Sequence, residues 1–222
     1  LGQIRLWWGD EGVEYNFGEL RHASIRGSVH LTGSDGDCYT PGGSQPPLAD
    51  VLVRLLDAEG RTIAETRTDS QGAYRFDGLL PGTYTVSEVT PAGLIDGTER
   101  VGTVGGRPTG HVAGDDTIGG ITLTSGQAAI DYDFCEHAPA SLSGVVYHDR
   151  NNNGRADPGE EPISGVAVRL LDDAQQVVAT AQTDQDGRYE FGGLRAGQYS
   201  VAESQPAGYL DGLDSAGTVA GG

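Results

Sequence analysis

Lysine and methionine are both absent from this sequence, and all 14 of its basic residues are arginine. They face 32 acidic residues, for a net charge of −18. Nucleic acid is thereby excluded as a partner, because phosphate binding needs clustered Lys and Arg. The simplest use of such charge is solubility; the sharper one is that many carboxylates await a hard cation. No apolar run reaches about 18 residues, so no membrane-spanning helix is expected. No signal peptide is visible and residue 1 is Leu, so the chain is expected to begin inside a longer protein or after processing. Only two cysteines occur, Cys38 and Cys135, too few to fix a compartment alone.

Catalytic constellations are missing too. His22, His30, His111, His137 and His148 are scattered, with no metal-ligand pair among them. No Gly-rich phosphate loop is followed by a Lys, and no Gly-x-Ser-x-Gly nucleophile turn occurs. Carboxylates abound, but in turn-rich stretches rather than an apolar cleft that would split their pKa values. The sequence reads as a non-enzyme.

What is present is repetition. Shifted by 115, residues 51–97 overlay 166–212 without gaps, with 23 of 47 positions identical. Val53-Arg-Leu-Leu-Asp57 returns as Val168-Arg-Leu-Leu-Asp172, and Tyr74-Arg-Phe76 as Tyr189-Glu-Phe191. At a shift of 117, Ser24-Ile-Arg-Gly27 overlays Ser141-Leu-Ser-Gly144, and Tyr15-Asn-Phe17 overlays Tyr132-Asp-Phe134. The expected organisation is 1–20, closing strands of a preceding repeat or a donor strand; 21–137, a complete repeat; and 138–222, a second repeat lacking its closing strands. Either a longer covalent array or strand exchange between identical subunits would produce such a permuted window.

Within each repeat the apolar period is two, and Asp–Gly and Pro–Gly turns punctuate it. Asp69, Asp96, Asp115, Asp116, Asp184, Asp186 and Asp211 are expected mostly as turn formers, one or two of them joining a cation site. About seven short strands per repeat predict an all-β sandwich. The run Gly72-Ala-Tyr-Arg-Phe-Asp-Gly-Leu79, then Gly82-Thr-Tyr-Thr-Val86, Glu88 and Pro91-Ala-Gly93, resembles the Cna B-type fold, and specifically the SdrD B-like repeat. The resemblance implies tandem prealbumin-like β-sandwich domains, used as spacers in bacterial surface proteins and commonly calcium-binding. Some Cna B-type domains form a Lys–Asn or Lys–Asp isopeptide bond assisted by a Glu. Glu88 and Glu203 match that Glu, but without Lys the bond cannot form, so both are expected as hydrogen-bonded structural residues. The resemblance also puts the first loop and the end of the last strand at one pole, which implies a Cys38–Cys135 disulfide; two buried thiols are the alternative.

The sharpest chemical motif is Asp149-Arg-Asn-Asn-Asn-Gly-Arg-Ala-Asp-Pro-Gly-Glu160, a twelve-residue calcium-loop spacing. Ca2+ takes six to eight hard oxygens. Asp149, Asn151, Asn153, Asp157 and Glu160 offer side-chain oxygens and Arg155 its carbonyl. Pro158, Gly159 and Pro162 oppose a following helix, so the loop is expected between strands. A metal-free Asx-rich turn is the alternative. In the first repeat Thr32, Ser34 and Gly36 replace the ligands, leaving Asp35 and Asp37 as irregular candidates. Trp7-Trp8 would pack on a neighbouring domain or stack on sugars. The expected role is a calcium-stabilised spacer of an extracellular bacterial surface adhesin or filament, its partners being adjacent repeats or identical subunits. A module binding carbohydrate or protein and a fibre subunit joined by strand complementation are the alternatives.

Overall fold

Alternation over 23–31 turns Ala23, Ile25 and Val29 to one side, and all three are buried. A strand with one apolar face is stable only when another layer covers it. The computed structural model, which describes residues 2–32, 38–39 and 45–219, supplies that layer within the first repeat. Every element among these residues is a strand. In the first repeat they are β1 (Ala23–Leu31), β2 (Leu52–Leu56), β3 (Thr62–Arg67), β4 (Ala73–Leu79), β5 (Gly82–Glu88), β6 (Ile95–Arg100), β7 (Thr103–Val104), β8 (Arg107–Pro108), β9 (His111–Gly114), β10 (Thr117–Leu123), β11 (Ala128–Ile130) and β12 (Asp133–His137). The second repeat contributes β13 (Ala140–Val145), β14 (Ala167–Leu171), β15 (Val177–Gln182), β16 (Arg188–Leu194) and β17 (Ser200–Glu203).

The first repeat has more than the expected seven strands because short pieces edge its sheets. One sheet runs β6-β12-β1-β11-β7-β8, with β4 also paired to β1; the other runs β3-β2-β5-β10-β9. Both β11 and β12 lie parallel to β1, the first along its start and the second along its end. They are one closing segment broken at Asp131, whose φ is 63°. Between the sheets Ile25, Val53, Leu55, Val86, Ile118, Ile121, Tyr132 and Phe134 are essentially fully buried. Burial of each such side chain is worth about 1.5–3 kcal/mol as an upper estimate. Tyr74 OH donates to the Tyr132 carbonyl at 2.6 Å, tying β4 to the closing segment.

The two repeats share their register to the residue. The pairing Val53↔Glu88 of β2 and β5 returns as Val168↔Glu203 of β14 and β17. Thr68 Oγ1 donates to the Leu48 carbonyl and accepts from Val51 N–H; Thr183 does the same with Ile163 and Val166. Gly72 and Gly187 have φ of 71° and 68°, and a Cβ on either would meet the backbone carbonyl of Val29 or Val146 at 2.4 Å.

The second repeat has a smaller core, centred on Val168, Leu170 and Phe191. Leu142, the counterpart of fully buried Ile25, is only half-buried. Beside β13 lies an open groove of about 520 Å³, lined by Val145, Tyr147, Glu203, Tyr209, Asp211 and Leu213 among others. In the first repeat β12 runs along the matching part of β1. Residues 2–22 form no strand, and Leu6, Val13 and Phe17 are exposed. A strand needs a ladder partner, and this segment has none among the described residues.

Candidate functional site

The loop from Asp149 to Glu160 leaves the end of β13 and is closed at its neck by a bridge between Tyr147 and Pro162 and by His148 N–H donating to the Glu161 carbonyl at 2.9 Å. It lies between strands, as the prolines dictate. The chain reverses at Asn152 and Gly154, with φ of 55° and 71°. That left-handed step is natural for Asn and Gly and costly for most other residues.

The reversal gathers the acidic and amide side chains. Asp149 accepts from Gly154 N–H at 2.8 Å and from Asn153 N–H at 3.2 Å. The side-chain amides of Asn151 and Asn153 both donate to one Asp157 oxygen, at 3.0 and 2.7 Å. Glu160 bridges the ends of the loop, accepting from Arg150 N–H and Asp157 N–H at 3.0 Å each. Arg155 N–H donates to Asn153 Oδ1 at 2.8 Å. Backbone N–H groups hold the Asp149 carboxyl below the usual range, and the two Asn amides do the same to Asp157. All six residues singled out from the sequence therefore belong to one hydrogen-bonded loop. Three carboxylates, two Asn side chains and a backbone carbonyl are the hard-oxygen donor types that Ca2+ takes, although the Asn amides turn their N–H groups toward Asp157 in this conformation.

At the other pole of the chemistry stands the disulfide, Cys38–Cys135, with Cα atoms 5.8 Å apart. Thr32 Oγ1 donates to the Glu136 carbonyl at 2.8 Å beside it. Ser34, Asp35, Gly36 and Asp37 lie outside the described residues. Nearby, buried Asp133 is fully served: Ser28 N–H and Oγ donate at 2.8 Å, and the Arg100 guanidinium pairs with its other oxygen.

Two expectations are corrected here. Glu88 is buried, but no N–H or hydroxyl donor among the described residues reaches its carboxyl, whose polar neighbour is another acid, Glu136. Asp96 is not a turn former: it sits within β6, paired opposite Glu136. Glu88 ends a strand of one sheet and Glu136 lies in the other, so only the stacking of the sheets reveals that they meet; Asp96 precedes a Gly and has the local chemistry of a turn, but pairing with β12 of the same sheet draws it into a strand. Asp69 and Asp184 do form turns, each accepting two backbone N–H groups. Trp7 and Trp8 are exposed, with the Arg5 guanidinium over the Trp7 ring at 5.7 Å.

The sequence profile of the SdrD B-like domain matches residues 28–135 and 140–220. The chain belongs to the SdrD B-like domain family. Among curated relatives it is similar to Serine-aspartate repeat-containing protein C of Staphylococcus aureus strains Newman and N315, in each case 35% identical over 158 residues. That match covers 71% of this chain and 16% of the relative, so the chain spans only a small part of the length of the curated relatives it matches. Among solved structures it is similar to the Bacillus anthracis TIE protein (TM-score 0.40, 16% identity, 86% of this chain and 30% of that one). A Streptococcal ancillary pilin is likewise similar (TM-score 0.40, 15% identity, 86% and 56%).

Proposed function

We propose that this SdrD B-like chain is a calcium-stabilised structural spacer of an extracellular bacterial surface adhesin or filament. One observation carries the reading: the Asp149–Glu160 loop holds three half-buried carboxylates and two Asn amides in a single hydrogen-bonded reversal of the chain. Asp149, Asn151, Asn153, Asp157 and Glu160, with the Arg155 carbonyl, would hold the ion. Bound calcium cross-braces the loop between strands and offsets local carboxylate repulsion. No catalytic role enters this reading.

Calorimetry with and without chelator tests it. Calcium bound only by the folded state raises the melting temperature by linkage. The expected result is a lower melting temperature in chelator, restored by added calcium. Unchanged melting together with no calcium bound at millimolar concentration overturns it.

Two partner readings have their own support. The groove beside β13 suits a closing strand like Ile4–Phe17, from a neighbouring repeat or an identical subunit. Intact mass of native fibre material separates a long covalent array from chains near 23 kDa. The fully exposed Trp8 favours a carbohydrate or protein ligand as the second reading, to be scored on a glycan and protein array.

A further inference from the structure

Glu88 and Glu136 are the two acids that the fold treats least like the others. Their relative exposures are 3% and 0%, and all four of their carboxyl oxygens lack a hydrogen-bond donor among the described residues. Asp116 Oδ1 shares that condition. One carboxyl oxygen from each of the three lies within 4.8 Å of the others. Asp133, a few residues from Glu136 and equally buried, has donors on both oxygens. The contrast is chemical: a buried carboxylate without a donor costs several kcal/mol unless something positive meets it. Burial acts most strongly on Glu88, followed by the acids Glu136, Asp116 and Asp96; its carboxyl meets that of Glu136 within hydrogen-bond reach, a contact that needs a shared proton or a cation between the two.

The placement of the three is firm. Glu88 ends β5, and its backbone N–H donates to the Asp116 carbonyl at 2.9 Å. Asp116 sits in the β9–β10 turn at φ 56°, with Thr90 Oγ1 donating to its other oxygen at 2.5 Å. Glu136 is held in β12 by Thr32 and by pairing with β6. Asp96 and Glu99 of β6 form a second set with Asp116, again within 4.8 Å.

We propose that Glu88, Asp116 and Glu136 form a buried divalent-cation site of the first repeat, selective for calcium and separate from the Asp149–Glu160 loop. One oxygen from each of the three residues converges, two further donor-free oxygens belong to the same carboxyls of Glu88 and Glu136, and Asp96 adjoins Asp116; hard carboxylate oxygens are the ligands calcium takes. No nitrogen or sulfur ligand joins the cluster among the described residues, which disfavours zinc. Bridging β5, β12 and the β9–β10 turn, the ion would pin the two sheets together where a Lys-dependent covalent cross-link is impossible.

The second repeat carries the same chemistry in part. Glu88, Asp96 and Glu99 return at a shift of 115 as Glu203, Asp211 and Asp214, and Glu136 matches Glu19 at a shift of 117. Glu203 and Asp211 face the open groove beside β13. The twelve-residue loop is not repeated in this way, since Thr32 stands where Asp149 does.

The choice of ion rests on the calcium reading above, so the test separates the two. Calcium binding and melting are measured on the full chain carrying Glu160→Ala, alone and combined with Glu88→Gln and Glu136→Gln. Asp116→Asn serves as a second variant should the double change fail to fold. The expected result is that Glu160→Ala still binds calcium and is stabilised by it. Either cluster change then weakens that binding about tenfold or more. The exposed control Asp77→Asn leaves it unchanged. A Glu160→Ala chain with no calcium-dependent shift overturns this proposal while leaving the loop reading intact. A cluster variant that stays folded, keeps its calcium and is equally stabilised with and without calcium also overturns it, showing a proton-sharing carboxyl group instead. Calcium binding lost through the cluster changes but not through Glu160→Ala upholds this site and removes the loop.

Discussion

Residue by residue, the two acidic sites differ in burial, and pH separates them. Burial first, then neighbouring acids, pushes Glu88 up to about 9; the same causes push Glu136 up to about 7. For a carboxyl whose folded pKa is raised, the neutral form is favoured by folding. Its contribution is fully present below the ordinary value of 4.5 and is lost as pH climbs through the raised one. In chelator, the melting temperature of the first repeat should therefore fall as pH rises from 5 toward 9, and calcium should flatten or reverse that slope. Circular dichroism melts across this range check it; a slope that is the same with and without calcium contradicts it. Within the loop, Glu160→Ala should reduce calcium affinity far more than Arg155→Ala, because Arg155 would act through its backbone carbonyl. Titration calorimetry on the two variants decides the order.

At the scale of elements, the closing segment β11–β12 is what completes a repeat. Phe134 of β12 is buried against Tyr74, with ring centroids 6.3 Å apart. Phe134→Ala should cost about 3–5 kcal/mol, by lost transfer energy plus the cavity left behind. Denaturant melts measure it, and a loss under about 1 kcal/mol would contradict this account of the core. The same strand carries Cys135, cross-linked across 97 residues to Cys38. Removing the bond through paired Cys→Ser changes should destabilise by up to about 4–5 kcal/mol on the chain-entropy account. No free thiol should be titratable in denaturant before reduction.

Over the whole molecule, the repeats share register but not core size. Among the described residues, the first buries residues from two sheets of twelve strands in all; the second has five strands and a groove beside β13. Local stability follows buried apolar contact. Hydrogen exchange should protect β1, β5 and β10 well beyond β13 and β17, and melting should resolve two transitions, the second repeat unfolding first. A single concerted transition with uniform protection would refute that.

The offset of 115 determined, from sequence alone, which strands of 51–88 and 166–203 correspond, that turns fall at Asp69 and Asp184 and that the architecture is all-β, because a period of two and Asp–Gly turns are local chemistry; it did not show that Asp96 lies in a strand or that residues 2–22 form none. The twelve-residue loop was legible for the same reason: all its candidate ligands lie within one reversal of the chain. The disulfide followed from a resemblance rather than from spacing. What only the tertiary structure decided is the fate of residues far apart in the chain. Glu88, Asp116 and Glu136 come from a strand end, a turn and a closing strand, and nothing in their local patterns joins them. They meet because two sheets stack, whereas Asp133 receives its donors from Ser28 and Arg100 on the strands that flank it within its own sheet.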